Sequence, residues 1–316
     1  MKSNRTRRPD LSVVVGLRNQ AEDVTATLAS LRGALDRLKR PAEIVAVDDG
    51  STDDTWRRLA AAARRDRRLR LIRLRTGFGE AAALHAGIQA SRGRAVAYLS
   101  GRVRVDPAGL PALVKRLDAG ADFVVGRRHP RADSRLNQWV SRGFNRLVSR
   151  ATGLRLRDVN SGVFVSRRDV LDRVPLYGDL VNFIPVLAAQ QGYAVAEENI
   201  GQMPGTFRQS RYPGEYVQRL LDVLTVFFLT RYSRKPIHFM GFVGTGFAAA
   251  GLVIELYLFV YRILGFGAIA GRPLLVLGAL LLVIGVQMIS IGLLGEMIIF
   301  THAGEMEPYN IEETLN

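Results

Sequence analysis

Apolar residues fall along this chain in three rhythms. Leu11–Leu17 (LSVVVGL) is a continuous apolar run, the pattern of a strand buried on both faces. Ala21–Lys39 follows with Val24, Leu28, Leu31, Leu35 and Leu38 on one helical stripe. The alternation then continues through strand Glu43–Val47, helix Asp53–Arg65, strand Leu69–Leu74, helix Glu80–Ala90, strand Ala95–Leu99, helix Leu110–Leu117 and strand Asp122–Val125. Alternating strands and helices predict right-handed βαβ units, hence an α/β domain with a mainly parallel sheet flanked by helices. The third rhythm begins at Ile237. Ile237–Leu264 and Pro273–Phe300 are almost wholly apolar, about 28 residues each, and about 20 suffice to cross a bilayer as a helix. The short connector Gly265–Arg272 makes them a hairpin. Between the two regions Glu215–Tyr232 carries apolar residues at helical spacing, interrupted by Arg219, Asp222 and Arg231. It reads as an amphipathic helix at the membrane interface, with a core helix of the front domain as the alternative. The expected organisation is an α/β domain over 1–212, a juxtamembrane helix over 213–236, two spans within 237–300 and an acidic tail over 301–316.

Charge sharpens this division. The 316 residues hold 44 Lys and Arg against 29 Asp and Glu, a net +15. Residues 237–316 contain two basic and six acidic side chains, so residues 1–236 hold 42 and 23. Arg231, Arg234 and Lys235 precede the first span, whereas the connector region offers only Arg262 and Arg272. The basic side of a span stays inside, so an integral membrane protein is expected with its front domain and tail both cytoplasmic. LSVVVGL is too short for a signal peptide. Glu255 and Glu296 lie within the spans, where a carboxylate should face protein or sit near an interface. Gly241, Gly244 and Gly246 suit close helix packing and leave room for a homo-oligomer. The absence of cysteine removes disulfides, thiolate catalysis and cysteine-ligated metals. His85, His129, His238 and His302 are too scattered for a metal motif. Nucleic acid is not an expected partner, because the basic stretches lack interleaved aromatic residues.

In a parallel α/β sheet ligands bind beyond the carboxyl ends of the strands, so the residues there are the candidates. After the first strand stand Arg18, Asn19 and Gln20; after the second, Asp48-Asp49-Gly50-Ser51-Thr52-Asp53; after the third, Arg75-Thr76-Gly77-Phe78-Gly79; after the fourth, Ser100-Gly101-Arg102-Val103-Arg104. Adjacent carboxylates at a strand end can hold ribose hydroxyls, a base edge or a cation. The same turn also reads as an ordinary one with Ser51 or Asp53 capping the next helix. No phosphate-binding G-x-x-x-x-G-K-[ST] and no dinucleotide G-x-G-x-x-G is present.

A strand ending at Asn19, then EIVAVDDGSTDDT, then Gly77-Phe78-Gly79 with Ala81-Ala82-Ala83 and Ala86-Gly87, resembles the opening of inverting family 2 glycosyltransferases. Arg157-Asp158, Ser161-Gly162, Phe164 and Arg167-Arg168 are similar to that family's segment behind the acceptor site. Ser210-Arg211-Tyr212 before an interface helix and two spans resembles the polyprenyl-phosphate group of the family, which includes dolichol-phosphate mannose synthase. The resemblance implies a GT-A fold, a nucleotide-sugar donor, a polyprenyl-phosphate acceptor at the cytoplasmic face of the membrane, and Mg²⁺ or Mn²⁺ on the donor diphosphate. It implies nucleotide-sugar binding by Gly16, Arg18, Gln20, Asp48, Asp49, Gly79, Ser100, Gly101 and Arg102. It implies lipid-phosphate binding by Arg127, Arg128, Arg142, Ser161, Ser210 and Arg211.

The chain also departs from the family. Gly16-Leu17-Arg18-Asn19-Gln20 stands where the family has Pro-x-Tyr-Asn-Glu. The metal-holding Asp-x-Asp is replaced by Ser100-Gly101-Arg102, so no metal ligand can be named. Asp106, the nearest carboxylate, precedes Pro107 and reads as a helix cap. Candidates for the chemical step are Arg102, Arg104 and Asp158. Arginine brings positive charge and forked donors to phosphate oxygens, and it repels a cation. The replacement permits two readings: a transferase whose diphosphate is held without metal, or a lapsed enzyme of the same fold kept to bind nucleotide, lipid or a partner.

Overall fold

The computed structural model describes residues 8–101, 105–130, 141–142, 145–146, 148–149, 153–154, 156–159, 161–174, 183–202 and 236–302. The chain divides into two compact units, Met1–Val226 and Phe227–Asn316. The expected juxtamembrane helix, apart from Pro236, lies outside the described residues, as does the tail from residue 303.

In the first unit the described strands are β1 (Leu11–Leu17), β2 (Ala42–Asp48), β3 (Leu69–Arg73), β4 (Ala95–Ser100), β5 (Phe123–Arg128), β6 (Val163–Arg167) and β7 (Val195–Ile200). The helices are α1 (Val24–Leu38), α2 (Thr55–Ala63), α3 (Glu80–Ala90), α4 (Leu110–Asp118), α5 (Arg168–Arg173) and α6 (Ile184–Gln190). The strands form one sheet in the order β3-β2-β1-β4-β6-β5-β7. The five strands and four helices expected from the sequence appear within one to three residues of their predicted ends. β1 is buried along nearly its whole length because helices cover both faces. Leu28, Leu31, Leu35, Leu59, Leu110 and Leu113 fill one side, and Leu84, Ile88, Phe123, Phe164 and Ile184 the other. Each such side chain contributes about 1.5–3 kcal/mol on leaving water. Across the second face Tyr98, Phe164 and Phe123 form a ladder, with ring centroids 5.6 and 4.9 Å apart.

Two features of the topology position the site. β1 has β2 on one side and β4 on the other, both parallel to it. The strand order therefore reverses at β1, and a crevice opens there at the carboxyl ends. β6 runs antiparallel to both β4 and β5, so the sheet is mixed. An antiparallel neighbour starts where β4 ends. Ser161 and Gly162 thus lie beside Ser100, whose amide donates to the Gly162 carbonyl at 2.9 Å.

The second unit contains α7 (Pro236–Ile263) and α8 (Pro273–His302). Both are long and apolar enough to cross a membrane, and only 17% and 11% of their most apolar windows are buried. A helix of a soluble core would be mostly buried; these display Leu, Val and Phe outward, as lipid contact requires. The seam between them is lined by Gly244, Gly251, Gly278 and Gly285, where the backbones approach too closely for an added methyl. Glu255 turns inward against Gly278: a Cβ there would stand 2.6 Å from its carboxylate. At the turn, Arg272 lies over the Tyr261 ring at 4.3 Å and donates to the Tyr261 hydroxyl at 3.0 Å and the Ala268 carbonyl at 2.9 Å.

Candidate donor site at the strand reversal

The turns after β1 and β2 are stitched to each other. The Asn19 amide donates to Ser51 Oγ at 3.0 Å, Gln20 to Thr55 Oγ1 at 2.8 Å and Ala21 to Asp53 Oδ2 at 3.0 Å. In return the Thr52 amide donates to Asn19 Oδ1 at 2.9 Å. Ser51 therefore serves the neighbouring turn rather than capping α2. Asp53 does both, since it also accepts from the Thr55 amide at 2.9 Å. Burial pushes the Asp53 carboxyl up, but donation from Thr55 and Ala21 outweighs it and leaves the pKa below the ordinary carboxylate value.

Asp48 and Asp49 are both buried, and they turn to different partners. Asp48 accepts from the Ser51 amide at 3.2 Å, and Arg73 Nε stands 3.5 Å from its other oxygen. Arg73 in turn lies over Trp56 at 5.4 Å. Asp49 reaches the loop before α3, where it accepts from the amides of Phe78 at 2.7 Å and Gly79 at 3.0 Å. Arg18 Nη1 is 3.8 Å from Asp49, and the Arg18 side chain is half exposed. Its guanidinium lies flat against Gly77, where a Cβ would come within 2.3 Å of it. A side chain at 77 would displace the guanidinium from this position.

The end of β4 is tied to β1. Gln20 Nε2 donates to the Gly101 carbonyl at 2.6 Å. A Cβ on Gly101 would stand 2.1 Å from the Gly16 carbonyl oxygen. Arg18, Gln20, Asp49, Gly79, Ser100 and Gly101, with the Gly16 carbonyl beneath, are thus gathered at one crevice, while Asp48 braces its floor. Arg102 and Arg104 lie outside the described residues, as do Ser210 and Arg211.

The expected acceptor residues are placed as follows. Arg127 and Arg128 end β5 at the same edge of the sheet. Arg128 gives its fork to Asp158, at 2.7 and 2.8 Å, with side chains 10% and 3% exposed. Two candidates from different lists therefore neutralise each other. The loop bearing Asp158 is held further by Glu197, which accepts from the amides of Arg157 and Asp158 at 2.8 and 3.0 Å. Ser161 is buried and spends its hydroxyl on the Val163 carbonyl at 3.0 Å. Arg142 is exposed. Asp106 caps the short helix at Pro107–Gly109, accepting from the Ala108 amide at 2.9 Å.

Among the described residues no three His, Asp or Glu side chains converge to hold a metal ion. Asp49 is turned to the amides of Phe78 and Gly79, Asp48 is enclosed, and β4 ends at Ser100, followed by Gly101. The described residues do not fit a divalent cation.

Residues 12–174 match the family model Glycosyl transferase family 2. A dodecaprenyl-phosphate galacturonate synthase from Rhizobium johnstonii is 33% identical over 305 residues, covering 93% of this chain and 88% of that protein. An undecaprenyl-phosphate 4-deoxy-4-formamido-L-arabinose transferase from Pseudomonas paraeruginosa is 34% identical over 289 residues, covering 90% and 84%. Among solved structures, glucosyl-3-phosphoglycerate synthase from Mycobacterium tuberculosis, in complex with Mn²⁺, UDP and glucosyl-3-phosphoglycerate, superposes with a TM-score of 0.56. It is 20% identical and covers 69% of this chain and 80% of that one. That likeness establishes the GT-A fold.

Proposed function

The chain belongs to glycosyltransferase family 2, and from that premise we propose that it transfers a sugar from a nucleotide-sugar donor to a polyprenyl phosphate. The observation that carries this reading is the joining, in one chain, of a donor-type crevice at the β1 reversal with a hairpin of two membrane-length helices. A soluble acceptor needs no such hairpin; a prenyl chain does. The phosphate oxygen of the acceptor attacks the anomeric carbon, and the bond from that carbon to the donor diphosphate breaks. The acceptor is already an anion, so no strong general base is needed. Asp49, Arg18 and Gln20 shape the nucleotide end of the crevice. Arg102, with Arg104, offsets the diphosphate, because the chain has no carboxylate at positions 100–104 to hold a cation there. The front domain and the acidic tail face the cytoplasm, on the strength of Arg231, Arg234 and Lys235 before the first span. The second reading left open by the sequence, a lapsed enzyme, finds no support in relatives that are named as synthases and transferases.

The test is transfer itself. The purified full chain is incubated with undecaprenyl phosphate and a panel of labelled nucleotide sugars, with and without EDTA, and lipid-borne label is counted. Label is expected from at least one donor, persisting in EDTA and lost in Arg102→Ala. Label that requires Mg²⁺ and is unchanged in Arg102→Ala overturns the arginine role. No lipid-borne label from any donor, with or without metal, overturns the function.

A further inference from the structure

Among the described residues of the first unit, Phe78 is the one large hydrophobic side chain that stands exposed, at 64%. Among the other described residues of that unit every Leu, Ile, Val and Phe is buried or half-buried. Its backbone is nevertheless held firmly. The Phe78 amide donates to Asp49 Oδ1 at 2.7 Å, and Asp49 is itself buried. The next amide, Gly79, donates to the same carboxylate, and Gly79 takes a φ of +99° to open α3. On the other side Gly77 is clasped by the Arg18 guanidinium. A buried charge thus fixes a loop whose tip presents a bare aromatic ring at the ligand edge of the sheet. A plain turn has no use for the ring: Phe in water gains nothing from its size, and a polar residue would make the same amide contact. The features around it are those of a recognition surface. Arg18, half exposed, lies against the same loop through its contacts with Gly77 and Asp49.

We propose that Phe78 is the stacking platform for the nucleobase of the donor, with Asp49 as the positioning residue that holds the platform in place. The inference rests on the proposed use of a nucleotide-sugar donor. Every base offers a flat π-face, so the ring supplies affinity for a nucleoside that neither Arg18 nor a diphosphate contact supplies. It also explains why Asp49, read from the sequence as a direct ligand, spends its oxygens on the Phe78 and Gly79 amides: its contribution to the donor passes through the loop.

The experiment titrates the full chain in detergent micelles by calorimetry with UDP, GDP, CDP and ADP, and with inorganic pyrophosphate, which has charge but no base. Phe78→Ala is expected to weaken the best-bound nucleoside diphosphate by about 5- to 150-fold, the equivalent of 1–3 kcal/mol for one base–aromatic stack. Pyrophosphate affinity stays unchanged, and Phe78→Tyr keeps the parent's affinity. A second readout places Phe78→Trp in a Trp56→Phe, Trp139→Phe background, where stacking should quench the new indole as nucleotide is added. Equal nucleotide affinity in Phe78→Ala overturns the proposal, as does an equal loss for pyrophosphate. An indole that ignores nucleotide but shifts with phosphatidylglycerol vesicles overturns it in favour of a membrane contact. If the parent binds no nucleoside diphosphate, the donor reading itself falls; if the parent binds and Phe78→Ala binds as tightly, this inference falls alone.

Discussion

Removing Arg128 tests whether the end of β5 is a lipid-phosphate ligand or a lock. Its guanidinium meets Asp158 at 2.7 and 2.8 Å, and its own amide lies 3.3 Å from the same carboxylate. With side chains 10% and 3% exposed, the pair is well shielded from water. A surface ion pair contributes about 0–1 kcal/mol, but Arg128→Ala breaks a buried pair by removing its bidentate partner, which costs about 3–5 kcal/mol. For a unit of this size each kcal/mol moves the melting temperature by about 2–4 °C, so a drop of about 6–20 °C is expected. The assay is intrinsic tryptophan fluorescence of the full chain in micelles, melted at one scan rate. Arg58→Ala, on the exposed face of α2, is the control and should stay within about 2 °C. The two residues share one bidentate contact, so Arg128→Ala with Asp158→Ala should cost less than the sum of the two single changes. A melt of Arg128→Ala within 2 °C of the parent, accompanied by loss of transfer, would refute the reasoning and return Arg128 to the acceptor site.

Two further outcomes follow from other parts of the chain. Asp66 accepts from Arg32 at 2.8 Å and from the Arg68 amide at 2.9 Å. Burial pushes its carboxyl up, but these donors outweigh that and hold it below the ordinary value of 3.8. A lowered folded pKa stabilises above the unfolded value and the effect is lost as pH falls through the folded one. The stability gap between the parent and Asp66→Asn should therefore be level from about pH 7 to 5 and close below about pH 4; a gap that widens in acid contradicts this. Orientation is checked by labelling, which is clean because the chain has no cysteine. Ala268→Cys, in the hairpin turn, should react with an impermeant maleimide only from the side opposite the N-terminal domain, and reaction from the domain's own side would exclude the hairpin topology.

The parallel strands were legible in the sequence because burial on both faces leaves a continuous apolar run, as in β1 and β2. β6 and β7 were not, for two different reasons. Val163–Arg167 stands outside the strand–helix alternation that reveals β1 to β5, and its antiparallel direction follows from the path of the chain after β5 rather than from its residues. Val195–Ile200 is a half-exposed edge strand whose Glu197 and Glu198 break the apolar pattern; Glu197 is there to hold the Arg157–Asp158 loop. At the site, the strand-end rule found the right turns but not what their side chains do. Asp48 and Asp49 read as a pair because they are adjacent, and adjacency hides that one partners Arg73 and the other a loop 29 residues further on. Arg128 and Asp158 lie 30 residues apart, so nothing local signals that they satisfy each other. Phe78 was visible only as part of a motif; its meaning depends on its being the large apolar side chain left exposed among the described residues of the first unit.

The same geometry explains why the end of β4 is the place where this chain departs from its family. Position 101 is closed to every side chain, because a Cβ there would collide with the Gly16 carbonyl at 2.1 Å. Gln20 seals that contact by donating to the Gly101 carbonyl at 2.6 Å, and its own backbone is pinned to Thr55. Variation at this end is thereby confined to positions 100 and 102. Ser100 is buried and its amide is tied to Gly162, which suits a small neutral side chain. A carboxylate there would have to be desolvated and then paired. In the proposed function the charge that meets the donor diphosphate from this strand comes after Gly101, where the next residue in the sequence is Arg102. The substitution of glutamine for the family's glutamate at position 20 belongs to the same change. A neutral amide can donate to the Gly101 carbonyl, as Gln20 does, whereas a carboxylate would face that oxygen with repulsion. The two departures, at β1 and at β4, thus meet in one contact, in which the strand ends are locked by a neutral hydrogen bond; the proposed function leaves the anion to arginine.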